Sequence, residues 1–200
     1  MSVRDVHLLE SYRNFLRRFR LWKLILGYRV WGIEAVNEAL SGLTMHVPEV
    51  LVHFGATVGP GCVVHGPLII HNAEYDYSNL RIGRRVHIGR HVLFDLTDTI
   101  VVQNEAVISM NCTLLTHQDV GERALGNRYP QYSAPLEIGT GAYLGANVII
   151  LAGCNIGSRT VVGAGSVIVK PLPDDVTAVG VPARVVKEFV PGDQLDPCLS

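Results

Sequence analysis

His117 is the residue of this chain best suited to move a proton near neutral pH. It stands in the run Leu114-Leu115-Thr116-His117-Gln118-Asp119. An imidazole titrates close to neutrality and can take the proton of a hydroxyl as that hydroxyl attacks. Such a base needs its second ring nitrogen held by a partner. Asp95, Asp98 and Asp119 are the candidate partners, and the plain alternative is a solvated loop histidine. The four cysteines, Cys62, Cys112, Cys154 and Cys198, form no CxxC and none adjoins His117. A thiol nucleophile, a disulfide framework and a thiolate metal site therefore lack local support. His53, His65, His71, His87 and His91 invite a metal hypothesis, yet His87 and His91 fall on successive six-residue units that face differently, and no histidine follows His117. No metal is expected.

Composition narrows the class. The 200 residues are 48% hydrophobic, with 17 basic and 18 acidic residues and a net charge of -1. That balance gives no reason to expect nucleic acid as a partner. No apolar run approaches the roughly 20 residues of a membrane span, and Met1 to Glu10 lacks the form of a signal peptide. A cytoplasmic location is expected. Between Arg13 and Arg29 lie six basic residues and no acid, interleaved with Phe15, Phe19 and Trp22 and followed by Trp31. This segment reads either as a helix capping the open end of the fold or as a weak contact with an acidic membrane surface, peripheral at the inner face.

The elements that position His117 follow from a repeat. Ile138, Leu144, Ile150, Ile156, Val162 and Ile168 recur every six residues, with Gly at 139, 145, 157 and 163. The same spacing occurs at Val52, Val58 and Val64, at Ile82, Ile88 and Phe94, and at Val102, Ile108 and Leu114. A period of six is neither helical nor simple strand alternation. Three hexads close a triangular coil of about 18 residues, and coils bury their apolar faces only by stacking. About five coils are expected, with Cys62, Cys112 and Cys154 as small core residues. Residues 71–80 read as a polar, aromatic surface excursion. Residues 117–135 form a long insertion, the kind of loop that often carries function.

These residues, from about Val52 to Lys187, resemble the hexapeptide-repeat acyltransferase family, and in particular its sugar and polysaccharide O-acetyltransferases. The resemblance implies a mainly β fold, a left-handed parallel β-helix, assembled as a homotrimer. It implies acetyl-CoA as acyl donor, a carbohydrate acceptor such as a surface-polysaccharide precursor, and direct transfer with His117 as general base. Many sugar acetyltransferases carry Asn where Asp95 and Thr97 stand, so Asp95, Thr97 and Asp98 are the expected acceptor-side residues, with a corner stabilised by Asp side chains as the equal alternative. Tyr143 replaces the family's usual Trp. By the same resemblance Ala146 and Ala164 line the coenzyme groove, and Lys170, Arg184 and Lys187 meet its phosphates.

Three segments are expected: an N-terminal helical extension over 1–45, the β-helix over 46–170 with its inserted loop 117–135, and a C-terminal turn, short helix and tail over 171–200. Two other functions remain open on the sequence, an amino-sugar N-acetyltransferase and a non-catalytic β-helix scaffold.

Overall fold

A computed structural model of the chain describes residue 19 and residues 21–189. The fold is mainly β, built of short parallel strands on three faces. Face A stacks Thr57–Val58, Leu80–Ile82, Ile100–Val102 and Leu136–Ile138. Face B stacks Val63–Val64, His87–Ile88, Val107–Ile108, Tyr143–Leu144, Val161–Val162 and Val176–Gly180. Face C stacks Leu68–His71, Val92–Asp95, Thr113–Leu114, Ile149–Ile150 and Val167–Ile168. The chain visits A, B and C in turn. Within the regular coils each residue therefore lies under the one a full coil later, as Tyr143 pairs with Val161 and Ile149 with Val167.

The six-residue period is the burial pattern. Ile138, Leu144, Ile150, Ile156, Val162 and Ile168 are all buried, as are Ile82, Ile88, Phe94, Val102, Ile108 and Leu114. Each such side chain contributes roughly 1.5–3 kcal/mol of transfer free energy, which offsets the cost of ordering its stretch of backbone. Cys112 and Cys154 are buried and Cys62 is partly buried, and the Cys112 thiol donates to the Gly145 carbonyl at 3.2 Å. They are small core residues. At Gly145 the next coil passes so close that an added Cβ would lie 2.6 Å from the Ala164 nitrogen.

Helices close the N-terminal end. Residues 21–31 are helical (α1), followed by α2 (Glu34–Leu40) and α3 (Val47–His53). Leu21, Leu24, Ile25 and Tyr28 of α1 recur at helical spacing and pack on the core. Helix α2 buries Val36, Asn37 and Leu40 and lies against the first strand of face C, while α3 contacts the first strands of faces A and B. The basic residues Arg13, Arg17, Arg18 and Arg20 and Phe15 lie outside the described residues.

Several expectations are corrected. Val52 is not the first inward aliphatic of the coil: it sits on α3 and is 52% exposed. Pro48 in the first helical turn favours the helix there, so the coils begin at Thr57 rather than at 46. The excursion at 71–80 is not wholly surface. Tyr77 is fully buried, its ring packs edge-on against Phe54, and its hydroxyl donates to Asn37 Oδ1 at 2.8 Å. The C-terminal segment is not a short helix. Ala183–Glu188 is a strand, paired antiparallel with Val176–Gly180 around the turn at Val181 and Pro182. The β-branched Val185 and Val186 favour an extended chain, and Gly180, with φ of 99°, permits the reversal.

Candidate active site

The candidate site forms where face C turns the corner at the end of Val92–Asp95 and Thr113–Leu114. Asp95 and His117 belong to successive coils, so the ladder sets the carboxylate beside the imidazole. His117 Nδ1 lies 2.5 Å from Asp95 Oδ2. The carboxylate is 1% exposed and fully bonded. Its Oδ1 accepts from Asn72 Nδ2 at 2.8 Å and from the Thr97 hydroxyl at 2.9 Å. Its Oδ2 also accepts the backbone N–H groups of Thr116 at 3.0 Å and His117 at 3.1 Å.

Electrostatics follow from this shell. Burial alone opposes a charge on Asp95, but the bonds from Asn72, His117, Thr116 and Thr97 outweigh it and hold the carboxyl below the usual carboxylate range. An ionised carboxylate is acceptor only, so the proton between it and His117 sits on Nδ1. The lone pair is then on Nε2, the state a general base requires. Thr97 Oγ1 also lies 3.1 Å from Nδ1 and fixes the ring from a second side. His117 opens into a cavity of about 370 Å³ lined also by Gln118, Asp119, Val120, Tyr129 and Pro130.

Of the three acids considered as partner, Asp95 alone bonds the histidine. Asp98 Oδ1 accepts the Thr99 N–H at 2.6 Å, and Asp119 Oδ1 accepts the Gly121 N–H at 2.6 Å. Both are turn acceptors. The insertion starts as a two-residue antiparallel ladder, with His117 opposite Ser133 and Gln118 opposite Tyr132. Sequence reasoning missed Asn72 and Thr116. Asn72 has φ of 57°, and Asn111 and Asn147 have φ near 60° at the turns from face B to face C. Asparagine tolerates that region, so an Asn at a corner was the available signal.

The coenzyme candidates lie elsewhere on the coils. Ala146 and Ala164 stack at the corner between faces B and C, where Gly165 N–H donates to the Ala146 carbonyl at 2.8 Å. Small residues and close coils leave backbone accessible there, which fits a long, thin polyamide arm. Tyr143 lies on face B, partly buried, its hydroxyl 3.5 Å from Ser109 Oγ. Lys170 is exposed at the far end of face C. Arg184 donates to the Ala183 carbonyl at 2.8 Å, and the Lys187 ammonium stands 5.1 Å from the centre of the Phe189 ring. The corner holding Ala146 and Ala164 is not the corner holding His117, so these residues do not meet within one chain. Among the described residues no group of three or more His, Cys, Asp or Glu side chains is gathered to hold a metal ion. His65 and His87 are ring neighbours at 5.2 Å.

Residues 135–170 match the family model for the bacterial transferase hexapeptide, six repeats. The chain is 33% identical over 135 residues to the galactoside O-acetyltransferase of Escherichia coli (strain K12), covering 67% of this chain and 64% of that protein. It is 31% identical over 198 residues to the galactoside O-acetyltransferase of Lactococcus lactis subsp. lactis (strain IL1403), covering 96% of this chain and 90% of the relative. A solved structure of a galactoside acetyltransferase in complex with coenzyme A superposes with a TM-score of 0.67 at 27% identity, covering 78% of each chain. Near full-length similarity to the second relative, together with the repeat model lying on the most regular coils, places this chain in the hexapeptide-repeat acetyltransferase family.

Proposed function

We propose that this acyltransferase moves the acetyl group of acetyl-CoA to a carbohydrate hydroxyl, with His117 as general base and Asp95 as the carboxylate that orients it. The observation that carries this reading is the bond between His117 Nδ1 and a buried, fully hydrogen-bonded Asp95. His117 Nε2 accepts the acceptor's hydroxyl proton as its oxygen attacks the thioester carbonyl, and the proton then leaves with the coenzyme thiolate. Asp95 keeps the imidazole in the correct tautomer and stabilises the transient imidazolium. A positioned base of this kind contributes about 10²–10⁴-fold in rate. Asp95 and Thr97 thus act on the base rather than on the acceptor, and Asp98 shapes the turn.

Coenzyme A is bound in the solved galactoside acetyltransferase that this chain resembles, which supports acetyl-CoA as the donor. On this chain Ala146 and Ala164 would take the pantetheine arm, with Tyr143 flanking it, and Lys170, Arg184 and Lys187 would face the phosphates as cations. The coils are read as left-handed and the assembly as a homotrimer. In a trimer the corner carrying Ala146 and Ala164 on one subunit can meet the corner carrying His117 on the next, which one chain alone cannot do. The acceptor is placed among carbohydrates, with surface polysaccharide precursors as the setting and the cytoplasm as the compartment.

No helix among the described residues is long and apolar enough to cross a membrane. The exposed Trp22, Leu26 and Val30 beside Lys23 and Arg29 support weak peripheral contact with an anionic surface. Flotation with anionic vesicles tests that contact. The function is tested by incubating protein, acetyl-CoA and a galactoside, then exposing the product to mild base. An O-ester is cleaved, whereas an amide survives and would favour the amino-sugar N-acetyltransferase. No product and no binding of coenzyme A would leave a scaffold.

A further inference from the structure

A cavity larger than the one at His117 lies elsewhere among the described residues. It lies between α1, α2 and the first strand of face C, has a volume of about 780 Å³, and is lined by Trp31, Glu34, Asn37, Glu38, Ser41 and His71 among others. Three observations give it chemistry. Asn37 is 7% exposed, and its Nδ2 is a buried donor with no partner among the described residues. The other end of that amide is fixed, because Tyr77, buried and held protonated, donates to Asn37 Oδ1 at 2.8 Å. The structure thus keeps an unsatisfied donor buried beside the cavity that its residue lines, a feature that costs stability unless something accepts from it. Trp31 is 72% exposed and presents an indole at the rim.

The cavity also lies on the same face as the dyad. His71 lines it and is the register partner of Asp95 on the next coil. Leu96 N–H donates to the His71 carbonyl at 2.8 Å, and the neighbouring Asn72 holds Asp95. His71 at the cavity wall is therefore one coil from Asp95 and two coils from His117 along face C.

The lining selects a ligand class. Glu34 and Glu38 are acceptors, Asn37 Nδ2 is a donor, Trp31 is a flat apolar surface, and among the described residues no Lys or Arg lines the cavity. An anion is disfavoured. A hydroxyl group both donates to a carboxylate and accepts from an amide, and a ring with hydroxyls at its edge and C–H groups on its face fits the indole as well. We infer that this cavity is a sugar-binding subsite that holds a second ring of the acceptor while the modified ring lies at His117. This rests on the carbohydrate reading given above and extends it: the acceptor is an oligosaccharide or glycoside, not a single sugar.

The test uses the full-length protein in two independent assays. In the first, acetyl transfer is measured with glucose and with maltotriose. The expected result is a KM for maltotriose about tenfold below that for glucose. Trp31→Ala should raise the maltotriose KM about three- to tenfold with kcat unchanged, and leave glucose unchanged. Asn37→Asp, which keeps the acceptor for Tyr77 and removes the donor, should act in the same direction. Equal effects on both sugars, or none on either, would overturn the subsite. The second assay needs no turnover. The chain has two tryptophans, so Trp22→Phe leaves Trp31 as the sole indole. Its fluorescence should titrate saturably with maltotriose, about tenfold more weakly after Asn37→Asp. Binding without acetyl transfer would sink the acetyltransferase reading and keep the subsite, whereas transfer to glucose and maltotriose alike with no fluorescence response would do the reverse.

Discussion

At the scale of the residue, the account turns on Asp95. Asp95→Asn keeps the shape but can present an amide N–H to His117 Nδ1, which favours the tautomer with its lone pair on the wrong nitrogen. A drop in kcat of about 10²–10⁴-fold is expected in steady-state assays. Asp98→Asn and Asp119→Asn, whose partners are only turn N–H groups, should stay within about twofold of wild type. The same residue predicts a pH dependence of stability. Its folded pKa is lowered, so its contribution is complete above the unfolded carboxylate value near ~3.9 and is lost as pH falls toward the folded value. The gap in urea midpoint between wild type and Asp95→Asn should be full at about pH 5 to 7 and shrink below about pH 4. A gap that widens on acidification would contradict the charged, hydrogen-bonded carboxylate.

At the scale of the element, positions that repeat were legible and positions that depend on one-off contacts were not. Each inward hexad residue is set by a period, and the period survives in the sequence because every coil needs the same aliphatic. His117 was legible for a different reason, as the residue at which a coil gives way to a long insertion. Its partner was one of three acids, and only the coil register, which sets Phe94 beside Leu114 and so brings the Asp95 carboxylate within reach of His117, separates them. Tyr77 was read as surface because its partners, Phe54 and Asn37, lie 23 and 40 residues away. The strand Ala183–Glu188 was read as helix because its pairing with Val176–Gly180 is a tertiary fact that propensity alone does not reveal. A coil-level prediction follows. Gly145→Ala would set a Cβ 2.6 Å from the Ala164 nitrogen. The two coils must part, at a cost of about 1–3 kcal/mol seen as a lower unfolding midpoint. An unchanged midpoint would show that the coils have slack there.

At the scale of the whole molecule, the proposed base and the proposed coenzyme residues lie on different corners of one coil stack. His117 and Asp95 occupy one corner, Ala146 and Ala164 another, and the cations Lys170, Arg184 and Lys187 lie toward the C-terminal end. Sedimentation should give three times the chain's 21.8 kDa mass, and a monomer that retained full activity would contradict a site shared between subunits. Lys170→Ala should weaken acetyl-CoA binding by about two- to fivefold, the range of an exposed charge contact, with kcat little changed. The measurement that bears most directly on the central claim compares wild type with His117→Ala, using calorimetry for acetyl-CoA binding and thioester turnover for the chemistry. The account predicts equal binding and turnover lowered about 10²–10⁴-fold in the variant. Turnover within a few-fold of wild type in His117→Ala would contradict it.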